Sequence, residues 1–281
     1  MEPRIAILCN PGPENVKALR VTDEASLLLK KEGIRFQTFI FAWPDSLEGF
    51  TAVWVVGGDG TLHHFINRYP SVEIPVGTLA GGSGNDFHWM LYGESTVSQQ
   101  VARLLAGNTR RVDAGRCNDR IFLNGVGIGF DGAIVKDLVG KRKLAGKASY
   151  LLSVLKHILS FSEMPVRLDA DGVLVEQDCL LLSIANGQRY GGGFQVAPKA
   201  SLDDGLLDLN IVGRIAALQR MRYLPVIERG EHLELPFVQY LQGRRVLVES
   251  PRELPAHLDG EYYSNSRFEI EVLPGKFLFS V

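Results

Sequence analysis

Twice near the N-terminus of this chain, a short apolar run ends in glycines and passes at once into a helical pattern. Val53-Trp54-Val55-Val56 leads into Gly57-Gly58-Asp59-Gly60-Thr61, and a strand over Ile74–Leu79 leads into Ala80-Gly81-Gly82-Ser83-Gly84-Asn85-Asp86. Strand, glycine turn and helix in repetition build a parallel sheet with helices on both faces. The neighbouring segments agree. Ile5–Cys9 reads as a strand ending in Asn10-Pro11-Gly12-Pro13, a helix follows over Glu14–Lys31 and stops at Gly33, and Arg35–Ala42 reads as a second strand. Helices are predicted over Leu62–Tyr69, Asn85–Tyr92 and Val97–Ala106.

Beyond Arg110 the pattern changes. Two helical stretches remain, Ala148–Leu159 and Ile215–Ile227, among short β-rich runs at Ile121–Val126, Val166–Leu168, Leu180–Ala185, Leu207–Val212, Arg245–Glu249 and Phe268–Val272. Such runs, separated by Gly, Asp and Pro, predict an antiparallel sandwich and a second domain. At 281 residues and 46% hydrophobic, the chain can bury the cores of two domains.

The glycine loops carry the chemistry. In a parallel sheet both lie at the carboxyl edge, where open α/β sheets take their ligands. Glycines there let a phosphate approach backbone N–H groups, and the helix N-terminus behind favours negative charge. Asp59 suits such a loop if Mg²⁺ stands between its carboxylate and the phosphates. Ser83 can donate to a phosphate oxygen, and Asn85 or Asp86 can cap the helix. The plainer reading makes Gly57–Thr61 a tight turn and Asn85 and Asp86 simple caps.

Three other motifs fail. Gly81-Gly82-Ser83-Gly84-Asn85 has Asn where a hydrolase nucleophile elbow needs Gly. Gly140 through Gly146-Lys147-Ala148 is one residue too long for a phosphate-binding Walker loop and has Ala where Ser or Thr belongs. Gly127-Ile128-Gly129-Phe130-Asp131-Gly132 matches a dinucleotide fingerprint, but no second strand with an acidic ribose ligand follows. The net charge of −2 offers no general attraction for nucleic acid. The three cysteines, Cys9, Cys117 and Cys179, are widely spaced and form neither a metal motif nor a disulfide framework, which suits a reducing cytoplasm. The N-terminus lacks a signal-peptide pattern, and no run of about 18 apolar residues exists to span a membrane.

In their order, these segments resemble the bacterial-type diacylglycerol kinase catalytic family along nearly the whole chain. The resemblance rests on Asn10-Pro11, Gly57–Thr61, Gly82-Ser83-Gly84-Asn85-Asp86, and Asn124-Gly125-Val126-Gly127-Ile128-Gly129-Phe130-Asp131. It continues through Gly146-Lys147-Ala148-Ser149-Tyr150, Asn186-Gly187 with Gly191-Gly192-Gly193, Pro198 to Asp208 through Asp203-Asp204-Gly205, and Asp259-Gly260-Glu261. It implies an N-terminal three-layer α/β nucleotide domain, a C-terminal β-sandwich, and an active site in the cleft between them. The last strand would return to the first domain, giving domains of about 1–112 with 266–281, and 113–265.

By the same resemblance, the activity is ATP-dependent phosphorylation of a lipid hydroxyl, and the cofactors are ATP and Mg²⁺. ATP would lie against Asn10, Gly57, Gly58, Asp59, Gly60 and Thr61, and against Gly82, Ser83, Gly84, Asn85 and Asp86. Glu261 would accept the substrate proton, with Asp259 supporting a metal or water network, unless Asp259-Gly260-Glu261 is only a hairpin turn. A structural Mg²⁺ is expected at Asp204, with backbone oxygens near Ser201 and Leu206.

Some positions depart from the family pattern. His63-His64 stand where Asn-Glu is usual, and the gap from the second strand to Trp54 is too short for the helix common there. Two rival functions stand beside this: a kinase of a soluble acceptor such as NAD, whose kinases share the Gly-Gly-Asp-Gly-Thr loop, and a catalytically silent lipid- or nucleotide-binding protein, suggested by His63-His64. Lys136, Lys141, Arg142, Lys143 and Lys147, beside the apolar stretch Ala148–Leu159, suit an anionic membrane surface or a solvated loop before a core helix. The expected setting is thus the cytoplasm, with peripheral attachment to the inner membrane surface. The sequence leaves open a homodimer.

Overall fold

The computed structural model describes residues 3–10, 16–139, 154 and 156–281. The chain divides into two units, Met1–Asp113 with Pro274–Val281, and Ala114–Leu273.

The first unit is a parallel sheet between helices. Strand β1 (Arg4–Cys9) pairs in parallel with β2 (Arg35–Ile40) and β3 (Ala52–Gly57), and β3 pairs in parallel with β4 (Val76–Ala80). Helix α1 (Val16–Lys31) buries Ala18, Val21, Ala25 and Leu29 at helical spacing against Ile5, Ile7, Trp54 and Val56. Helices α2 (Asp59–Arg68) and α3 (Asp86–Tyr92) follow the two glycine loops, and α4 (Val97–Leu105) starts at a capping box made by Thr96 and Gln99. The carboxyl ends of β1, β3 and β4 therefore present Asn10, Gly57–Thr61 and Gly81–Asn85 at one edge of the sheet.

Strand β5 (Thr109–Cys117) begins in the first unit and ends in the second, which continues with β6 (Arg120–Phe122) and β7 (Gly125–Gly129), then α5 (Phe130–Leu138). Five strands follow, β8 (Met164–Ala170), β9 (Val173–Cys179), β10 (Leu181–Ala185), β11 (Leu207–Val212) and, after α6 (Ala217–Glu228), β12 (Val238–Gly243). The long β13 (Arg245–Leu258) and β14 (Glu261–Ser280) close the unit. β7, β10, β11 and β12 are successive antiparallel neighbours. The register of β13 shifts between Glu249 and Leu254, so its first half pairs with β8 and its last residues with β7. That shift lets one strand serve both layers of a sandwich whose core holds Phe122, Ile128, Leu168, Leu209, Val248 and Phe268.

β14 then carries the chain back to the first unit, where Phe279 pairs in parallel with Val76 and the Tyr92 hydroxyl donates to the Ser280 carbonyl at 2.7 Å. The return belongs to the first unit only from Pro274. Residues 267–271 still pair with β13, Arg267 opposite Glu249 and Ile270 opposite Val246. The predicted helix over Ala148–Leu159 falls mostly outside the described residues; residues 156–160 are helical. The expected single strand over Ile121–Val126 is two strands, interrupted at Leu123-Asn124.

Candidate active site

The two glycine loops of the first unit are bound to each other. The Asp59 N–H donates to the Gly84 carbonyl at 3.2 Å and the Gly81 N–H to the Gly57 carbonyl at 2.9 Å. The backbones lie so close that a Cβ on Gly82 would sit 2.3 Å from the Cα of Gly58, and one on Gly58 would sit 2.4 Å from the Gly84 carbonyl oxygen. Real Cβ contacts do not reach such distances, so both positions require glycine for loop-to-loop packing alone.

Asp59 does not hang from a loop, as the sequence suggests, but begins α2. The Gly58 carbonyl accepts the Thr61 and Leu62 N–H groups, so the helix starts ahead of the predicted Leu62. The Asp59 carboxylate reaches across to the second loop, where its two oxygens accept the N–H groups of Asp86 and Phe87, each at 3.0 Å. Asp59 thereby caps α3. Asn85, expected as a cap, instead closes its own loop: Oδ1 accepts the Gly82 N–H and Nδ2 donates to the Gly82 carbonyl, both at 3.0 Å. Asp86 is buried in the first turn of α3 and gives its backbone, not its side chain, to the cap.

Ser83 is exposed on the second loop, Gly60 and Thr61 are half-buried, and Asn10 is exposed directly after β1. Pro11 to Pro13 lie outside the described residues. Sequence reasoning missed Lys17, whose Nζ stands 3.5 Å from the Gly82 carbonyl and brings a cation to the second loop. It also missed Asp113, buried at the end of the first unit, whose carboxylate accepts the Gly275 N–H at 2.6 Å. The atypical histidines lie off the loops. His63 is buried on α2 and hydrogen-bonds Asn67, while the His64 ring lies 5.1 Å from that of Trp43.

In the second unit, Asp259 and Gly260 have φ of 49° and 87°, and Leu258 pairs with Glu261. Two left-handed residues between paired strand ends make a tight hairpin turn, for which Asp-Gly is well suited. Asp259 is buried, and its carboxylate accepts the N–H groups of Leu123, Asn124 and Gly125 at 2.8, 2.8 and 3.0 Å. These backbone groups are the break between β6 and β7, so Asp259 clamps that break to the turn. Glu261 is exposed at the first position of β14.

The expected metal residues share one turn before β11. Asp204 accepts the Leu206 N–H at 3.0 Å, and the Ser201 hydroxyl donates to Asp203 at 2.9 Å. Nearby, Asp208 is fully buried. Its Oδ1 accepts the Tyr240 hydroxyl at 2.5 Å, and its Oδ2 is buried with no hydrogen-bond partner. Burial pushes its pKa up, the Tyr240 hydrogen bond opposes this, the Asp204 charge adds to the rise, and the Gln242 amide and the Lys199 ammonium offset part of it. An orphaned buried carboxylate oxygen, beside a second carboxylate that raises its energy, fits a hard cation with oxygen ligands. Among the described residues no group of three or more His, Cys, Asp or Glu side chains is placed to hold a metal, so backbone oxygens would supply the rest.

Comparison with known proteins gives this geometry its family. Residues 4–117 match the diacylglycerol kinase catalytic domain, and residues 124–279 match the YegS C-terminal NAD kinase beta sandwich-like domain. The chain belongs to the diacylglycerol kinase family. A "Probable lipid kinase YegS-like" of Chromohalobacter salexigens is 34% identical over 266 residues, covering 92% of this chain and 81% of its own length. A diacylglycerol kinase of Mycobacterium tuberculosis is 30% identical over 236 residues, covering 81% and 75%. Among solved structures, a diacylglycerol kinase from Bacillus anthracis has a TM-score of 0.76 at 20% identity, over 99% of this chain and 96% of its own. Yeast NADH kinase, in complex with NADH, shares the fold with a TM-score of 0.55 at 11% identity, over 97% and 78%. As a diacylglycerol kinase relative, the chain has phosphoryl transfer as its class of chemistry, and no described helix is long and apolar enough to cross a membrane.

Proposed function

We propose that this chain transfers the γ-phosphoryl group of Mg-ATP to the hydroxyl of a lipid alcohol. The observation that carries the reading is the interlock of the two glycine loops through Asp59, in a member of a lipid kinase family. Bound Mg-ATP supplies an electrophilic phosphorus and a divalent charge. The chain itself supplies position and electrostatics, which is most of what phosphoryl transfer asks of a protein. Asn10, Gly57–Thr61 and Gly82–Asn85 line the nucleotide phosphates, with the Ser83 hydroxyl and the Lys17 ammonium as donors. Asp59 sets the spacing of the two loops and contributes charge beside the metal, together with Asp86.

In the reaction, the lipid oxygen bonds to the γ-phosphorus, the bond from that phosphorus to the bridging oxygen breaks, and ADP leaves. The hydroxyl proton passes to the carboxylate of Glu261, which the turn holds at the surface. Asp259 acts through the backbone, holding the turn in shape. The cation at Asp204 and Asp208 is structural. Lys136 and the basic residues Lys141, Arg142 and Lys143 attach the protein to an anionic membrane surface; those three lie outside the described residues.

The test is ATP turnover by the purified protein with dioctanoylglycerol, sphingosine, a polyprenol and NAD as separate acceptors. Turnover with a lipid alcohol, lowered by about 10²–10⁴ in kcat by Glu261→Gln at unchanged ATP affinity, supports the reading. Turnover confined to NAD, or absent with every acceptor, refutes it.

A further inference from the structure

The second unit holds a polar cluster that the reaction above does not use. His257, the residue before Leu258 at the end of β13, is 3% exposed. Its ring crosses Gly127 of β7 so closely that a Cβ there would meet Nε2 at 2.5 Å. The Tyr190 ring stands against it edge to face, with centroids 5.0 Å apart, and the Tyr190 hydroxyl donates to the Asp131 carboxylate at 2.9 Å. Asp131 lies in the first turn of α5. The cluster reaches the Asp259-Gly260 turn. The Gly260 N–H donates to His257 Nδ1 at 3.3 Å, and Gly260 is the residue immediately before Glu261.

Resting on the reading of Glu261 as the proton acceptor, we infer that His257, seated by Tyr190 and Asp131, is the positioning residue that sets the Glu261 carboxylate for catalysis. A two-residue turn can pivot about its strand ends. Here its first residue is fixed by the three N–H bonds to Asp259, and its second by the single bond to His257. Glu261 is the strand residue directly beyond that second residue; pairing with Leu258 holds its backbone on one side, and the bond to His257 holds the turn residue on the other. On the other side, Tyr262 lies under the ammonium of Lys136 on α5, 5.9 Å from the ring centre. Glu261 thus lies in the chain between two anchored residues, Gly260 and Tyr262, and both anchors lead to α5, the helix that carries Asp131 and Lys136.

The bond needs a neutral imidazole with Nδ1 as acceptor, because a charged ring would set N–H against N–H. Burial favours that state and lowers the ring pKa to about 4. The arrangement also accounts for Gly127 in the Gly127-Ile128-Gly129 run, since any side chain at that position would displace the ring.

The test compares kcat and KM for ATP, with dioctanoylglycerol as acceptor, in wild type, His257→Phe, His257→Asn, Glu261→Gln and the His257→Phe/Glu261→Gln double variant. Phe keeps an aromatic ring against Tyr190 but removes the acceptor; Asn restores an acceptor near the Nδ1 position. His257→Phe should lower kcat about 10–100-fold, the scale of a misplaced catalytic group, with KM for ATP unchanged. His257→Asn should recover most of that loss, which a role confined to packing would not allow. The double variant should be no slower than Glu261→Gln alone, because residues acting as a unit are non-additive.

Losses that multiply in the double variant, or wild-type kcat in His257→Phe, would overturn the inference while leaving the proposed function standing. An unaffected kcat in Glu261→Gln would overturn both the inference and the reading of Glu261 as proton acceptor. Should His257→Phe fail to fold, Tyr190→Phe, which keeps the ring and frees the Asp131 end, takes its place. It should lower kcat at unchanged KM for ATP and add nothing to Glu261→Gln, and unchanged kcat or multiplied losses there would also overturn the inference.

Discussion

Replacing Asp59 by Asn should damage stability and catalysis separately, and the structure sets the size of the first effect. The carboxylate accepts two backbone N–H groups at the start of α3, both at 3.0 Å. The single carbonyl oxygen of Asn can keep one. Its amide nitrogen then faces the other N–H, donor against donor. Losing one charge-assisted hydrogen bond costs about 1.5–3 kcal/mol, and losing a negative charge at a helix N-terminus adds about 0.3–1 kcal/mol. The sum, about 2–4 kcal/mol, corresponds to a fall in Tm of about 5–15 °C for a chain of this size. The apo protein suffices, because the cap exists without nucleotide; thermal unfolding by circular dichroism reads it directly. Turnover measured well below the variant's Tm should still fall at least about a hundredfold, since the charge beside the phosphates is lost as well. An apo Tm equal to that of wild type would refute the cap. An activity loss matching only the unfolded fraction would refute the electrostatic role.

Gly82→Ala should weaken ATP binding at least about tenfold and lower Tm, because the new Cβ meets Gly58 backbone that cannot yield; Gly213→Ala, whose nearest neighbour is an ordinary 3.5 Å away, should be tolerated. Calorimetric ATP titration and melting of both variants decide this. Added Mg²⁺ should raise the apo Tm of wild type, since a cation bound only to the native state shifts unfolding, and Asp208→Asn should abolish the response; a wild-type Tm indifferent to Mg²⁺ would refute the site. Stability should fall from pH 7 towards pH 4. Burial lowers His88 and His257 to about 4, so the unfolded chain takes up their protons first, and each contributes on the order of 3 kcal/mol that is complete above pH 6.5 and lost towards pH 4. Asp131 runs the other way: raised to about 6, it is protonated first in the native state and returns part of that loss as pH falls from 6 to 4. Asp131→Asn should therefore steepen the acid decline in Tm, and an unchanged slope would refute the burial of its charge.

The elements legible in the sequence are those whose burial is simple. β1, β3 and β4 are near-continuous apolar runs because a parallel sheet covers both faces. The strands that escaped notice are those whose burial is not. β9 is almost wholly exposed along Val173–Asp178, so no alternation marks it, and β5 begins with the exposed Thr109-Arg110-Arg111. The ends of β13 and β14 carry no local mark for another reason, and the return of the last strand was expected from the family resemblance alone. Each changes partner along its length, β13 at the shift past Glu249 and β14 on its return to β4, and no local pattern records a change of partner. α5 was hidden by glycine. It begins directly after β7 at Gly129, whose φ of 96° makes the corner, where glycines usually announce a loop.

Glycine also explains why the site was legible only in part. Gly127, Gly129 and Gly132 satisfy a dinucleotide spacing, yet each is taken up by packing: His257 over the first, Met164 against the second, and the Pro255–Ala256 backbone 2.3 Å from a Cβ on the third. Gly58 and Gly82 are also required by packing, but there the contact joins two loop backbones at the carboxyl edge of a parallel sheet. Spacing alone cannot separate these cases, since both ask only for the absence of a side chain. What separates them is the partner. Where a ring or another strand fills the space left by a glycine, the motif has been used in folding. Where two loops meet instead, each begins a helix, and Asp59 binds the second helix to the first loop, so both sets of helix-terminal N–H groups are held at one edge. That difference depends on residues far apart in the sequence, which is why the loops could be found by reading along the chain and the bond between them could not.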